Sequence, residues 1–124
     1  MNKPDKKRAD QLKDQYVSLI DRHLQDLVHN KAEDMHEIED FARQMFIHPI
    51  HLSNTIKAAT GESACSIYQY KILAVAQQLL ADPARSIRDI SLTLTFEPSQ
   101  FVKWFKRFTG LTPSQYRRLN RHPA

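Results

Sequence analysis

Apolar residues along this chain recur at helical spacing, and no stretch alternates convincingly as a strand would. Leu12, Tyr16, Leu19, Ile20, Leu24, Leu27 and Val28 share one face over about five turns, with charged residues opposite. A polar break from Asn30 to Asp34 follows. Asp34, with Glu37 three residues on, has the form of a capping box for a short helix with Ile38, Phe41, Ala42 and Met45 on one side. His48-Pro49 ends that pattern and suits the first turn of the next helix, which turns Leu52 and Ile56 inward and stops at Gly61. Ser63 is placed to cap the longest apolar segment, Ile67 to Leu80, which Asp82-Pro83 ends. Ser86 opens a short helix around Ile87, Ile90 and Leu94. Pro98 opens another, with Phe101, Phe105 and Phe108 inward and Gly110 as its stop, and Thr112-Pro113 starts a last turn or two around Tyr116. The pattern predicts an all-α fold of about seven helices.

Two stretches of this pattern are the same. Residues 38–61 and 87–110 align without a gap at an offset of 49. Ile38 matches Ile87, Asp40 Asp89, Pro49 Pro98, Lys57 Lys106, Thr60 Thr109 and Gly61 Gly110. Apolar character matches at Phe41/Ile90, Met45/Leu94, Leu52/Phe101 and Ile56/Phe105, and the following caps, Ser63 and Thr112, keep the offset. Agreement at breakers, inward positions and stops together marks a repeat of helix, short turn, helix. In such a unit the first helix crosses the second, whose outer face is left free for a DNA major groove. The helix between the repeats, about 63–81, spans ~28 Å at 1.5 Å per residue. Successive major-groove faces on one side of B-DNA lie ~34 Å apart. A helix of that length suits two recognition helices held at roughly that separation, and it also suits a plain core organiser.

Composition narrows the choice. The chain has 124 residues, which is one domain or two small subdomains sharing a core. Two glycines argue against a hairpin-rich β fold and exclude a glycine-rich phosphate loop. A single cysteine, Cys65, excludes an internal disulfide and a cysteine-based zinc site. Near a helix N-terminus, Cys65 is read as a small buried residue. No run approaches the ~18 apolar residues of a membrane span, and the charged first ten residues do not form a signal peptide. His48 and His51 stand three apart at a helix start, but without an evident third ligand no metal site is expected, and His48 is read as a cap or turn residue. No serine-histidine-acid set or carboxylate pair suggests catalysis, and no cofactor is expected. The formal charge of +4 averages two unlike stretches: −2 over residues 1–49 and +6 over residues 50–124, with no acid after Glu97. Lys103, Lys106, Arg107, Arg117, Arg118 and Arg121 all follow it, a surface suited to phosphates.

The second half then carries a recognisable series: Ser86-Ile87-x-x-Ile90, Glu97-Pro98-Ser99-Gln100-Phe101-x-x-x-Phe105-Lys106, and Thr109-Gly110-x-Thr112-Pro113-x-x-Tyr116-Arg117. The first half adds Phe41-Ala42, Pro49-x-x-Leu52-Ser53 and Thr60-Gly61. Over about residues 12–121 the chain resembles the AraC/XylS family of bacterial transcriptional regulators. It departs from the usual pattern at Thr95-Phe96, where a glycine-phenylalanine pair is usual, and at Ser91, where a small alanine is. The polar first residues are expected to form a disordered tail over 1–11, and the resemblance implies a DNA-binding domain over 12–124. Within that domain it implies helix-turn-helix units at about 35–61 and 86–110, a linker helix at about 63–81 and a final helix at about 113–120. Most members carry an N-terminal sensing and dimerising domain. Nothing of that size precedes Leu12, which implies either a single-domain member or a piece of a longer regulator.

Carried over position by position, the resemblance implies base reading by Ile50, Ser53 and Asn54 in the first recognition helix and by Ser99, Gln100 and Lys103 in the second. Asn and Gln suit adenine, Lys103 suits guanine, and Ile50 suits a thymine methyl. His51, Lys57, Lys106, Arg107, Arg117 and Arg118 are expected on phosphates. Trp104 is expected to pack. The expected function is sequence-specific binding of double-stranded DNA in successive major grooves, in the cytoplasm at the nucleoid, to regulate transcription. The alternative is a helical protein-interaction module. Its motive is the acidic stretch 9–49, with nine acids and four bases, which suits docking of a sensor domain or RNA polymerase.

Overall fold

A computed structural model of the chain describes residues 6–120. The described residues form seven helices and no strand: α1 (Lys6–Val28), α2 (Ile38–Gln44), α3 (Pro49–Thr60), α4 (Ala64–Leu80), α5 (Ile87–Thr93), α6 (Pro98–Thr109) and α7 (Pro113–Leu119). Helix α1 packs across α3 and α4, α2 pairs with α3, and α5 pairs with α6. The long α4 touches both α3 and α5 and so joins the two halves.

The amphipathic stripes bury as their spacing requires. Tyr16, Ile20, Leu24 and Leu27 of α1 are fully enclosed, with Phe41 and Ala42 of α2, Leu52 and Ile56 of α3, and Ile72, Ala76 and Leu80 of α4. On the other side of α4 lie Ile90, Leu94, Phe101 and Phe105 in the same continuous core. The Tyr16 hydroxyl donates to the Ala64 carbonyl at 2.7 Å, which ties α1 to the first residue of α4. Lys71 pairs with Asp21 at 3.1 Å farther along the same contact.

The repeat holds in backbone detail that sequence did not reveal. Gly61 and Gly110 end α3 and α6 with φ of 79° and 80°. Phe46 and Thr95, again 49 apart, both sit at left-handed φ of 57° and 64° in the turn before the second helix of each pair. The Thr60 hydroxyl donates to the Ile56 carbonyl and accepts the Glu62 N–H, and Thr109 does the same with Phe105 and Leu111.

Two expectations need correction. The disordered tail over 1–11 does not hold for residues 6–11, which are the first turns of α1, with Ala9 buried. Helix propensity continues N-terminally once Tyr16 and Ile20 are anchored, since each added residue gains a backbone hydrogen bond. Residues 1–5 of that tail, and Arg121, lie outside the described residues. The cap of α2 is Glu37, whose N–H donates to the Asp40 carboxylate at 2.8 Å, rather than Asp34. The helix starts late because His36 is held first: its N–H donates to His23 Nε2 at 2.8 Å, and the two rings stack at 3.8 Å.

His23 is therefore a buried imidazole that must stay neutral to accept. Burial, and then the neighbouring His36, push its pKa down to about 4 from 6.5. The unfolded chain takes up that proton at higher pH than the folded one. The stability it represents is complete above about pH 6.5 and is lost as pH falls towards 4, a change of about 3 kcal/mol. The thermal midpoint should fall across this window, and His23→Gln, which keeps an acceptor without titrating, should flatten the fall. Equal acid sensitivity in the variant would assign it to other groups. Thr95 gives a second test. A β-branched residue at left-handed φ is strained, so Thr95→Gly should stabilise the fold by about 1 kcal/mol in denaturant titration.

Candidate nucleic-acid interface

Each second helix of the repeat has one buried and one open face. In α3, Leu52 and Ile56 face the core, while Ile50, His51, Asn54 and Lys57 are exposed and Ser53 is half-buried. Ile50 is 64% exposed, an apolar side chain left without cover on an otherwise polar face. In α6, Phe101, Trp104 and Phe105 face the core, while Ser99, Gln100, Lys103, Lys106 and Arg107 are exposed. All six residues expected to read bases thus lie on the two second helices, five of them exposed.

Both helices start at a proline preceded by a side-chain cap. His48 Nδ1 accepts the Ile50 N–H at 3.1 Å, so the residue caps α3. Glu97 caps α6 through the N–H groups of Ser99 and Gln100, at 3.4 and 3.3 Å, and also accepts the Ser99 hydroxyl. Sequence reading left Glu97 out of the site. The signal was there: an acidic side chain directly before Pro-Ser-Gln, in the register of His48.

The basic residues separate into two groups. Lys106, Arg107 and Arg118 are exposed. Lys57 is exposed too, with its ammonium on the Gly61 carbonyl at 2.9 Å, closing the end of its own helix. Arg117 differs from what was expected. Its Nε donates to the Leu80 carbonyl at 2.9 Å, and its Nη2 donates to the Asp82 and Arg85 carbonyls at 3.2 and 2.7 Å. The half-buried guanidinium caps the end of α4 and straps α7 to it, because orphan carbonyls at a helix C-terminus attract a cation. Sequence counted its charge without showing this partner.

Three smaller placements complete the surface. Trp104 packs as expected, on Phe96, Phe101 and Phe108, and its indole N–H donates to the Gln69 side-chain carbonyl at 2.7 Å. Phe108 was expected inward but lies at the rim against Tyr70 and Trp104. Cys65 is exposed rather than buried, since Ala64 takes the inward place and the next residue turns outward.

The model of a family described as "helix-turn-helix domain" matches residues 41–119, the second repeat, all but the first three residues of the first, and the helix between them. The chain belongs to the AraC/XylS family. A curated relative of this AraC/XylS domain is an uncharacterized HTH-type transcriptional regulator, YtdP, of Bacillus subtilis (strain 168). It is 28% identical over 108 residues, which are 86% of this chain and 14% of the relative. The chain thus spans about one seventh of that relative's length. The fold is that of an AraC-type DNA-binding-domain transcriptional regulator from Chromobacterium violaceum (TM-score 0.74, 22% identity, 93% of this chain and 96% of that one). The C-terminal domain of AraT, a response regulator from Geobacillus stearothermophilus, is similar as well (TM-score 0.69, 24% identity, 87% and 88%). So is a DNA-binding transcriptional dual regulator from Escherichia coli K-12 (TM-score 0.68, 16% identity, 88% and 97%).

In this domain Arg117→Ala should lower folding stability by about 2 kcal/mol, since three carbonyls lose a charged donor. Arg118→Ala should leave stability unchanged. Equal melting curves for the two variants would show that the Arg117 strap contributes nothing.

Proposed function

We infer that this AraC/XylS domain binds double-stranded DNA sequence-specifically, with α3 and α6 in successive major grooves, and regulates transcription. The observation that carries the reading is the doubled unit: two capped helices in one register, each with a buried apolar face and an open polar one. The 17 residues of α4 span ~26 Å, against ~34 Å between groove faces on one side of the duplex.

Ile50, Ser53 and Asn54 read the first half-site, and Ser99, Gln100 and Lys103 the second. His51, Lys57, Lys106, Arg107 and Arg118 meet phosphates, where cations position the protein without reading sequence. For Arg117 the carbonyl strap takes the place of that role. The acidic stretch over residues 9–49 suits a protein partner instead, either RNA polymerase or an effector and dimerisation domain. The target duplex places the activity at the nucleoid. Among the described residues no helix is long and apolar enough to cross a membrane.

Selection of bound sites from a random duplex library tests the reading. Two motifs about one helical turn apart are expected, with log affinity falling against log salt by about 0.9 per phosphate contact. Lys103→Ala should relax preference at one position of the second motif, while Arg107→Ala should weaken all sequences alike and flatten the salt slope. Absence of any salt-sensitive duplex binding would overturn the assignment in favour of a protein-interaction module.

A further inference from the structure

The N-caps of the two recognition helices occupy one place in the repeat and leave opposite chemistry there. His48 accepts at Nδ1, so its proton sits on the other ring nitrogen, and the exposed ring presents a donor. Glu97 presents a carboxylate. Its bond from the Ser99 hydroxyl, then the Ser99 and Gln100 N–H groups and nearby Lys103, hold it below the ordinary carboxylate range. It is therefore ionised and can only accept.

A serine hydroxyl carries one proton. With that proton committed to Glu97, the exposed Ser99 oxygen turns only lone pairs outward. In the major groove adenine N6 and cytosine N4 donate, whereas adenine N7, guanine N7 and O6 and thymine O4 accept, so only adenine and cytosine offer an exocyclic amine. A free serine meets either kind, but one held as an acceptor does not. The adjacent carboxylate enforces the same choice, since it too repels a base acceptor.

We propose that Glu97 is a specificity-determining residue of the second recognition helix: by holding the Ser99 proton it makes α6 select adenine or cytosine, through the exocyclic amine, at the base Ser99 meets. Glu97 acts here as a positioning residue, and the inference rests on the DNA-reading function above. The corresponding pair in the first repeat, His48 and Ile50, has no hydroxyl to orient, so this device belongs to one half-site alone.

The test is site selection from a random duplex library with the whole chain, its Glu97→Gln variant and its Ser99→Ala variant, each accompanied by a melting curve. In Glu97→Gln the amide in the place of Oε2 donates to the Ser99 oxygen and turns the Ser99 proton outward, while the carbonyl in the place of Oε1 keeps the Ser99 N–H and the Gln100 N–H loses its acceptor. The wild type should favour adenine or cytosine over guanine or thymine about five- to tenfold at one position of the second motif. Glu97→Gln should shift that position alone towards guanine or thymine, and Ser99→Ala should flatten it. The first motif stays unchanged throughout.

An unaltered profile in a folded Glu97→Gln overturns the proposal. So does a wild-type preference for guanine or thymine at the position that Ser99→Ala flattens, and that comparison decides the matter even where Glu97→Gln fails to fold. Failure of the DNA-reading function looks different: the wild type then enriches no motif, and both inferences fall.

Discussion

The first half of the molecule is assembled around the ring of Phe41. Tyr16 and His23 from α1, His36 from the connection and Tyr68 from α4 meet it with their rings steeply inclined, at centroid distances of 5.1 to 5.9 Å. Edge-to-face pairs of this kind add about 0.5–1.5 kcal/mol each beyond the area they bury. Two helices distant in sequence, α1 and α4, are thereby fixed against the short α2, which has only seven residues and no stability of its own. Because α2 leads through a tight turn into α3, the direction of α3 is inherited from this aromatic contact.

The second half reaches the same backbone by other means. Ile90 stands where Phe41 stands in the first repeat, and the aromatic mass has moved to the turn and to α6. Phe96, Phe101, Trp104 and Phe105 pack in sequence, and Tyr116 of α7 closes on Phe105 at 5.3 Å. The Arg117 strap then fastens α7 to the end of α4. One repeated backbone thus rests on two unlike cores. The two turns hold the exposed Phe46 and Thr95 at the same left-handed φ with no glycine at either, each directly after a buried residue, Met45 or Leu94.

The open faces differ as much as the cores. Helix α3 offers an exposed isoleucine beside asparagine and a histidine cap; α6 offers serine, glutamine and lysine beside a carboxylate cap. The two helices thus share a backbone geometry and present different chemistry. The charge gradient adds to this, since no acidic residue follows Glu97 to offset the lysines and arginines beyond it.

Much of this is legible in the sequence. Periodicity marked seven helices, and the offset of 49 marked the repeat, because apolar spacing, prolines and terminal glycines act locally. The open faces of α3 and α6 followed from the same periodicity, since a helix that buries Leu52 and Ile56, or Phe101 and Phe105, must turn its other side out. Local rules misplaced what depends on distant partners. Asp34 was a sound cap by spacing, yet the His23–His36 contact, 13 residues apart, delayed the helix to Glu37. Arg117 counted as one more basic residue until the carbonyls of Leu80, Asp82 and Arg85, more than 30 positions earlier, came within reach. Cys65 and Phe108 lay at the margin of their helical faces, where a few degrees of packing decide between core and solvent. The sequence by itself determined the helices, their doubling and the residues they present, since these follow from backbone periodicity. Only the tertiary structure decided which charges are free for a ligand, because that depends on acceptors the chain brings in from afar.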